Sequence, residues 1–479
     1  MPGTPSETPS VLRLDKACIV GAGSSGIACA KILQERGIPF DCFEKGSALG
    51  GNWRYGNDNG VSAAYRSLHI NTSKAKMAYS DFPMPEDYPD FPHHSQVLEY
   101  FESYVDHFGI RDALTFNTSV ERIEPIPQGG PGESVAPGER GWEVTVRGPD
   151  GAERTERYGA VLVANGHHWC AHRPTFPGHF DGLEIHSHDY KTPDAIQDRR
   201  VLVLGVGNSG VDIACEAARF AEKIFLSTRR GAHVVPKYIL GKPLDEWNSP
   251  FMSRLPLWLQ ISMFRLLLFL SRGKQSRYGF PTPDHEFGAE HPTVSNELLN
   301  LVGHGRITVK PDLAERRGDR VRFVDGSEEE VDVIVYATGY DISFPFLDRE
   351  LVNPDGNELA LYHRVVHPGL PSLYFIGLIQ PLGATMPLAE IQGEWVADLL
   401  AGEAGLPSRQ EMEAVLRKER DEVRQRYVDS RRHTIQVDFY PYYRTVEKER
   451  RKGRRRPLRQ ALRPTVEASA RSEERAAGG

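Results

Sequence analysis

Two glycine-rich hexapeptides, Gly21-Ala-Gly-Ser-Ser-Gly26 and Gly205-Val-Gly-Asn-Ser-Gly210, constrain this chain more than any other feature. Each follows a short apolar run, Ala17-Cys-Ile-Val20 or Arg200-Val-Leu-Val-Leu204, that reads as a buried strand. Each runs into a helical stretch, Ile27 to Glu35 or Val211 to Phe220. In such a strand–turn–helix unit the first glycine makes the tight turn and the second lets a pyrophosphate approach the backbone. The third packs helix on strand, and the phosphate charge meets the helix N-terminus. That assigns Gly21, Gly23, Ser25 and Gly26 to one dinucleotide, and Gly205, Gly207, Asn208, Ser209 and Gly210 to a second. The predicted fold class is α/β with two Rossmann-like domains.

The residues that end the next strand of each unit separate the two sites. Ile38 to Phe43 ends at Glu44, placed to accept ribose hydroxyls. Lys223 to Ser227 ends in Ser227-Thr228-Arg229-Arg230. An acid there would repel a ribose 2′-phosphate, whereas a guanidinium binds it bidentately, so the second nucleotide reads as NADP(H). Gly50-Gly51-Asn52-Trp53 offers bare backbone beside an indole, where a ring system can lie. In two-dinucleotide flavoproteins this loop accompanies FAD. Two such sites in one chain imply hydride transfer from nicotinamide to flavin.

The rest of the chain bounds the reading. Its 479 residues suit two or three domains, and the net charge of −7 argues against nucleic acid as a partner. The five cysteines have no metal-ligand or redox-pair spacing, which points to reduced thiols in the cytoplasm. Adjacent His167 and His168 lack a third ligand at workable spacing, so no metal is expected. Leu255 to Leu270 is very apolar but falls short of the ~20 residues needed to span a bilayer. A buried or subunit-facing helix is expected, against a monotopic surface helix or a channel wall. Gly305 to Val309 and Arg320 to Val324 alternate like strands of a small sheet, and Ala337-Thr-Gly-Tyr340 is the joint between nucleotide domains. Gln380 precedes a helix, Leu388 to Leu400, whose N-terminus is expected to face the flavin pyrimidine or a phosphate. Ser408 and Glu411 have capping-box spacing, and Asp438 to Tyr443 reads as an aromatic turn.

Between the two turns lies Phe180-Asp-Gly182-Leu-Glu-Ile-His186-Ser-His-Asp-Tyr190. With GAGSSG, GGNW, HINTSK, SDFP, GVGNSG, STRRG and YATGY in this order, the chain resembles the flavin-containing monooxygenases from about Lys16 to Tyr443. The resemblance implies an NADPH- and O2-dependent enzyme in which O2 adds to C4a of the reduced FAD. The resulting hydroperoxide then gives its distal oxygen to an amine nitrogen or a sulfide. It implies that Asn71, at the position of the family's N-T-S-K-like asparagine, helps hold that species. Phe180, Gly182, His186 and Tyr190 carry the family fingerprint, with a structural and gating role. Baeyer–Villiger insertion into ketones is the alternative; fingerprints of the sister enzymes end in Trp, and this one ends in Tyr190. A disulfide reductase lacks its cysteine pair here, and a sensor without oxygenase activity is the more remote reading.

The expected layout is a disordered N-terminus (1–12), an FAD domain in two parts (13–170 and 339–445) and an inserted NADP(H) domain (171–338). The latter carries an insertion at 231–294, and a basic, largely disordered tail covers 446–479. No transmembrane anchor is expected; weak contact with a membrane surface and a homodimer are both compatible with the sequence.

Overall fold

The computed structural model describes residues 16–126, 141–428, 430–431 and 433–456. Its first sheet has six strands in the order Val366–His367, Leu370–Phe375, Ala160–Val163, Ala17–Val20, Phe40–Phe43 and Leu114–Thr115. All pairings are parallel except that of Val366–His367. The two central strands are apolar and buried at every position, as parallel strands covered on both faces must be. Helices Ser24–Glu35, His94–His107 and Met386–Leu400 cover one face. An antiparallel meander, Ser119–Pro125, Trp142–Arg147 and Glu153–Tyr158, covers the other.

The second sheet is wholly parallel, in the order Leu183–His186, Val333–Tyr336, Arg200–Leu204, Lys223–Ser227, Ile307–Lys310. Helix Asn208–Phe220 packs on one face, and a small sheet containing Leu313–Gly318 and Arg320–Phe323 packs on the other. Every strand of this unit falls in sequence between Ala160–Val163 and Leu370–Phe375, so the second Rossmann-like unit is inserted into the first.

The local expectations meet different fates. Ser408 does cap helix Arg409–Arg426 in a capping box with Glu411. Ile307–Lys310 is not in a small sheet with Arg320–Phe323; it is the edge strand of the parallel sheet. The aromatic turn and the first part of the tail together form one helix, Phe439–Gly453. Pro441 lies in its first turn, where an N–H has no intrahelical partner to lose. Val446, Glu449 and Gly453 are buried, and Arg450 Nε donates to the fully buried Asp398 carboxylate at 2.8 Å. Residues 1–12 and 457–479, expected to be disordered, lie outside the described residues. The apolar segment forms helix Leu257–Arg272, of which only Leu268 is buried, so within this chain it is not a core helix.

Candidate active site

The first sheet aligns Phe375, Val163, Val20 and Phe43 in one row. Beyond that row the chain emerges as Gly377, Ala164, Gly21 and Glu44, all on the wall of one cavity of about 570 Å³. Gly23, Ser25, Gly51, Asn52, Trp53 and Gln380 line the same cavity. Gly21 has φ +99°, and a Cβ on Gly26 would lie 1.8 Å from the Gly21 carbonyl oxygen, so only glycine lets the helix start this close to the strand. Gly51, at φ +52°, faces Gly23: its Cβ would lie 3.1 Å from the Gly23 Cα. The cavity floor is therefore backbone meeting backbone.

Two helix N-termini reach this cavity, at Gly23–Ser25 and at Thr385–Met386. Neither has a side-chain cap, and neither first turn carries an acid. Both thus present partial positive charge and uncapped N–H groups, which suits a pyrophosphate. Glu44 Oε2 accepts from the Ala22 N–H at 2.9 Å, and its Oε1 accepts from the Gly46 N–H at 2.7 Å and from Asn59 Nδ2 at 2.9 Å. The carboxylate ties the glycine turn to the end of the neighbouring strand, and its four lone-pair sites leave room for a hydroxyl. Asn59 also lines the cavity, and the sequence reading had missed it; in Asn57-Asp-Asn-Gly60 it looks like any turn residue. His167 lines it too, held neutral by burial, which pushes its pKa well down.

The second sheet repeats the device with His186, Tyr336, Leu204 and Ser227 in one row. Gly205 has φ +110°, and its Cβ would lie 2.5 Å from the Ala337 carbonyl oxygen; one on Gly210 would lie 2.3 Å from that of Gly205. Gly207 starts helix Asn208–Phe220 with neither a side-chain cap nor an acid in the first turn. Three side chains assigned from sequence are committed to the protein itself. Asn208 Oδ1 accepts from the Val294 N–H at 2.9 Å, the Ser227 hydroxyl donates to the Pro311 carbonyl at 2.7 Å, and Thr228 Oγ1 accepts from the Gly231 N–H at 3.0 Å. Arg229 is exposed and makes no hydrogen bond or ion pair among the described residues.

The connector is explained residue by residue. The Phe180 ring lies against Gly182, whose Cβ would fall 2.6 Å from the ring and 2.4 Å from the Asp332 carbonyl oxygen. His186 is fully buried at the end of the outer strand, edge-on to Tyr340 of the interdomain joint. Its Nδ1 accepts from the His188 N–H at 3.0 Å, and burial, then Arg173, lowers its pKa to about 4, so the ring is neutral. The Tyr190 hydroxyl donates to Glu216 of the nucleotide helix at 2.5 Å. Beside it, Tyr65 donates to Asp212 of the same helix at 2.6 Å, and Lys191 Nζ donates to the Ser62 carbonyl at 2.7 Å. The motif stitches the first unit to the helix of the second.

Asn71 is not on the wall of the flavin-side cavity. Its Oδ1 is buried without a hydrogen-bond partner, and such an atom is costly unless something outside the chain meets it. The segment around it is braced by the 231–294 insertion: Asp245 accepts from the Ser73 N–H at 2.7 Å, and Lys237 Nζ donates to the Ile70 carbonyl at 3.1 Å. Burial lowers the Lys237 pKa and pushes that of Asp212 up to about 6. No local spacing signals these contacts; they join residues far apart in sequence.

Strand ends with bare glycine turns and uncapped helices, twice over, define a two-dinucleotide oxidoreductase. The model of the flavin-binding monooxygenase-like family matches residues 14–450, and the chain belongs to that family. It is a flavin-binding monooxygenase. Flavin-containing monooxygenase 5 of Rattus norvegicus is 39% identical over 440 residues, which are 88% of this chain and 80% of the rat protein. The N-oxide-forming dimethylaniline monooxygenase 2 of Macaca mulatta is 34% identical over 89% of this chain and 81% of its own. Among solved structures, the S-allyl-L-cysteine S-oxygenase of Allium sativum superposes with a TM-score of 0.67 at 25% identity, covering 98% of this chain and 95% of that one. Cyclohexanone monooxygenase in its open form superposes with a TM-score of 0.67 at 18% identity, covering 93% and 99%, a likeness of fold.

Proposed function

We propose that this monooxygenase oxygenates soft nucleophiles, amine nitrogens and sulfides, with FAD seated in the Gly21–Glu44–Gln380 cavity and NADP(H) on the Gly205–Arg229 turn. The observation that carries this assignment is the cavity itself, a floor of bare glycine backbone between two uncapped helix N-termini. The bound flavin, reduced by NADPH, supplies the oxygen-activating chemistry. The chain's residues bind, orient and exclude water. Gly23 and Ser25 receive the pyrophosphate, Glu44 the adenosine ribose, and Trp53 packs beside the ring system. Arg229 takes the 2′-phosphate through charge-assisted hydrogen bonds. Asn71 donates or accepts through an amide that the protein leaves unpaired at Oδ1. An electron-rich nitrogen or sulfur needs no protein nucleophile to attack an electrophilic oxygen, which is consistent with a buried, neutral His186 at the joint. Among relatives, the names of the macaque enzyme and of the garlic structure describe N-oxide formation and S-oxygenation. Free cysteines, four of the five buried, fit a cytoplasmic setting.

Assay of the purified protein with NADPH under air tests this reading. A tertiary amine or a thioether should give N-oxide or sulfoxide in proportion to NADPH consumed. NADPH oxidation yielding only H2O2 across such a panel, or product from ketones alone, overturns it.

A further inference from the structure

The segment that carries Asn71 is held by one hairpin of the 231–294 insertion. Strands Tyr238–Ile239 and Lys242–Pro243 pair antiparallel across a two-residue turn, and the Leu244 N–H donates to the Lys237 carbonyl at 2.8 Å below them. Leu240 in that turn is 78% exposed and has φ +52°, a left-handed conformation that a leucine adopts at a cost. The tight turn brings Lys237 and Asp245 to the same end of the hairpin. Lys237 Nζ donates to the Ile70 carbonyl at 3.1 Å. Asp245 Oδ2 accepts from the Ser73 N–H at 2.7 Å and from the Ser73 hydroxyl at 3.0 Å. Asn71 stands between these two attachments. The next layer is gripped as well: the Tyr238 hydroxyl donates to Asp90 at 2.9 Å, and the Asp90 carbonyl accepts from the Lys74 N–H at 2.7 Å.

The hairpin is in turn tied to the second glycine turn. The Lys237 N–H donates to Asn296 Oδ1 at 2.8 Å, and Val234–Val235 pairs with Thr293–Val294. The Val294 N–H then donates to Asn208, the first residue of the nucleotide helix, at 2.9 Å. From the other side, Tyr65 reaches the same helix at Asp212. Hydrogen bonds and short lengths of chain thus run from the start of helix Asn208–Phe220, through the hairpin, to both sides of Asn71. Asn71 itself has no such hold, because its Oδ1 is buried without a partner. Where its amide points is therefore set by the backbone on either side.

On the reading that Asn71 serves the oxygenation chemistry, we propose that Asp245 and Lys237 are its positioning residues. The hairpin clips the backbone before and after Asn71, and so sets how much of the NADPH oxidised yields oxygenated product rather than H2O2. Charge makes the clip firm: a carboxylate oxygen holds two Ser73 donors at once, and an ammonium holds the Ile70 carbonyl, each through charge-assisted hydrogen bonds. Ser73 is 1% exposed, so water does not compete for its donors. A displacement of about 1 Å at a reacting group can cost about 100-fold in rate, so a loosened clip acts on coupling without touching substrate or nucleotide.

Two measurements on the full-length, flavin-loaded protein test the clip: hydrogen–deuterium exchange over residues 66–74, and the fraction of consumed NADPH that appears as H2O2 with a thioether present. Asp245→Ala should speed exchange in that segment about tenfold, the effect of losing a charge-assisted hydrogen bond, and raise the H2O2 fraction several-fold. Asp245→Asn keeps an acceptor oxygen and should return both readings to within about twofold of the parent. Lys237→Met should loosen the same segment and uncouple in the same direction. Flavin content and the KM for NADPH should stay within about twofold in every variant, which separates a moved Asn71 from a damaged fold. Unchanged exchange or an unchanged H2O2 fraction in Asp245→Ala overturns the inference. So does uncoupling that Asp245→Asn shares in full, or loss of flavin from both Asp245→Ala and Lys237→Met, which assigns the hairpin to the fold at large. Asn71→Ala tells the two readings apart. If it uncouples while Asp245→Ala stays coupled, the clip alone fails; if it keeps full product yield, the role of Asn71 fails and the clip with it.

Discussion

The two glycine turns are built alike and finished differently. Gly26 and Gly210 each bring a helix against the preceding strand so closely that a Cβ would collide with the carbonyl of the turn, at 1.8 Å and 2.3 Å. The difference lies at the end of the next strand. Glu44 is 4% exposed and accepts three hydrogen bonds from its own chain, whereas Arg229 is exposed and makes no hydrogen bond among the described residues, its charge felt by the nearby Asp312 carboxylate. A recognition group folded into the protein suits a nucleotide that stays. One held out in water suits a nucleotide that arrives and leaves.

The largest effect is expected at the first turn. Gly26→Ala forces backbone apart, an overpacking that costs about 1–3 kcal/mol or more, and the protein should purify without flavin absorbance. Gly210→Ala, its counterpart, should stay yellow while its KM for NADPH rises at least tenfold. If it too loses flavin, the two sites do not bind independently. Glu44→Gln leaves a buried acceptor set mismatched, at a cost of about 1–3 kcal/mol, and should lower flavin retention and melting temperature together. Arg229→Ala should leave stability unchanged and raise the KM for NADPH about 10- to 100-fold, with little change for NADH; an unaltered ratio places the 2′-phosphate elsewhere. Asn71→Ala should keep both nucleotides yet divert NADPH oxidation to H2O2, and full product yield in that variant removes Asn71 from the chemistry.

The smallest effect concerns Asp212. Burial raises its pKa from 3.8 to about 6, so the folded chain binds its proton more tightly than the unfolded chain does. Stability from this group is fully present below about pH 4 and is lost as the pH rises through about 6. Asp212→Asn should flatten that part of a stability–pH curve; an unchanged curve assigns the slope to other groups.

Much of this was legible in the chain because it is local. Strand, glycine turn, helix and terminal acid lie within one stretch from Ala17 to Glu44, and the spacing of Phe180 and Gly182 records a ring lying over a missing Cβ. What escaped is set by distance. Lys237 reaching Ile70, and Asp245 reaching Ser73, follow from how the insertion folds back, and no spacing encodes that. The C-terminal helix was hidden by Pro441, which sequence reads as a breaker and a helix tolerates in its first turn. For the apolar helix the sequence left burial and a subunit-facing position open, because hydrophobicity reports what a segment would bury, not whether this chain provides the cover.

The insertion of one Rossmann-like unit inside the other also sets an order of events during synthesis. Ala160–Val163 leaves the ribosome with one edge paired to Ala17–Val20, and the partner for its other edge, Leu370–Phe375, is made only after the whole second unit. The second unit holds all five of its strands by residue 336 and is able to close first. Until Leu373 pairs with Val161, the first sheet carries an open apolar edge, and that interval is when the nascent chain is most exposed to aggregation.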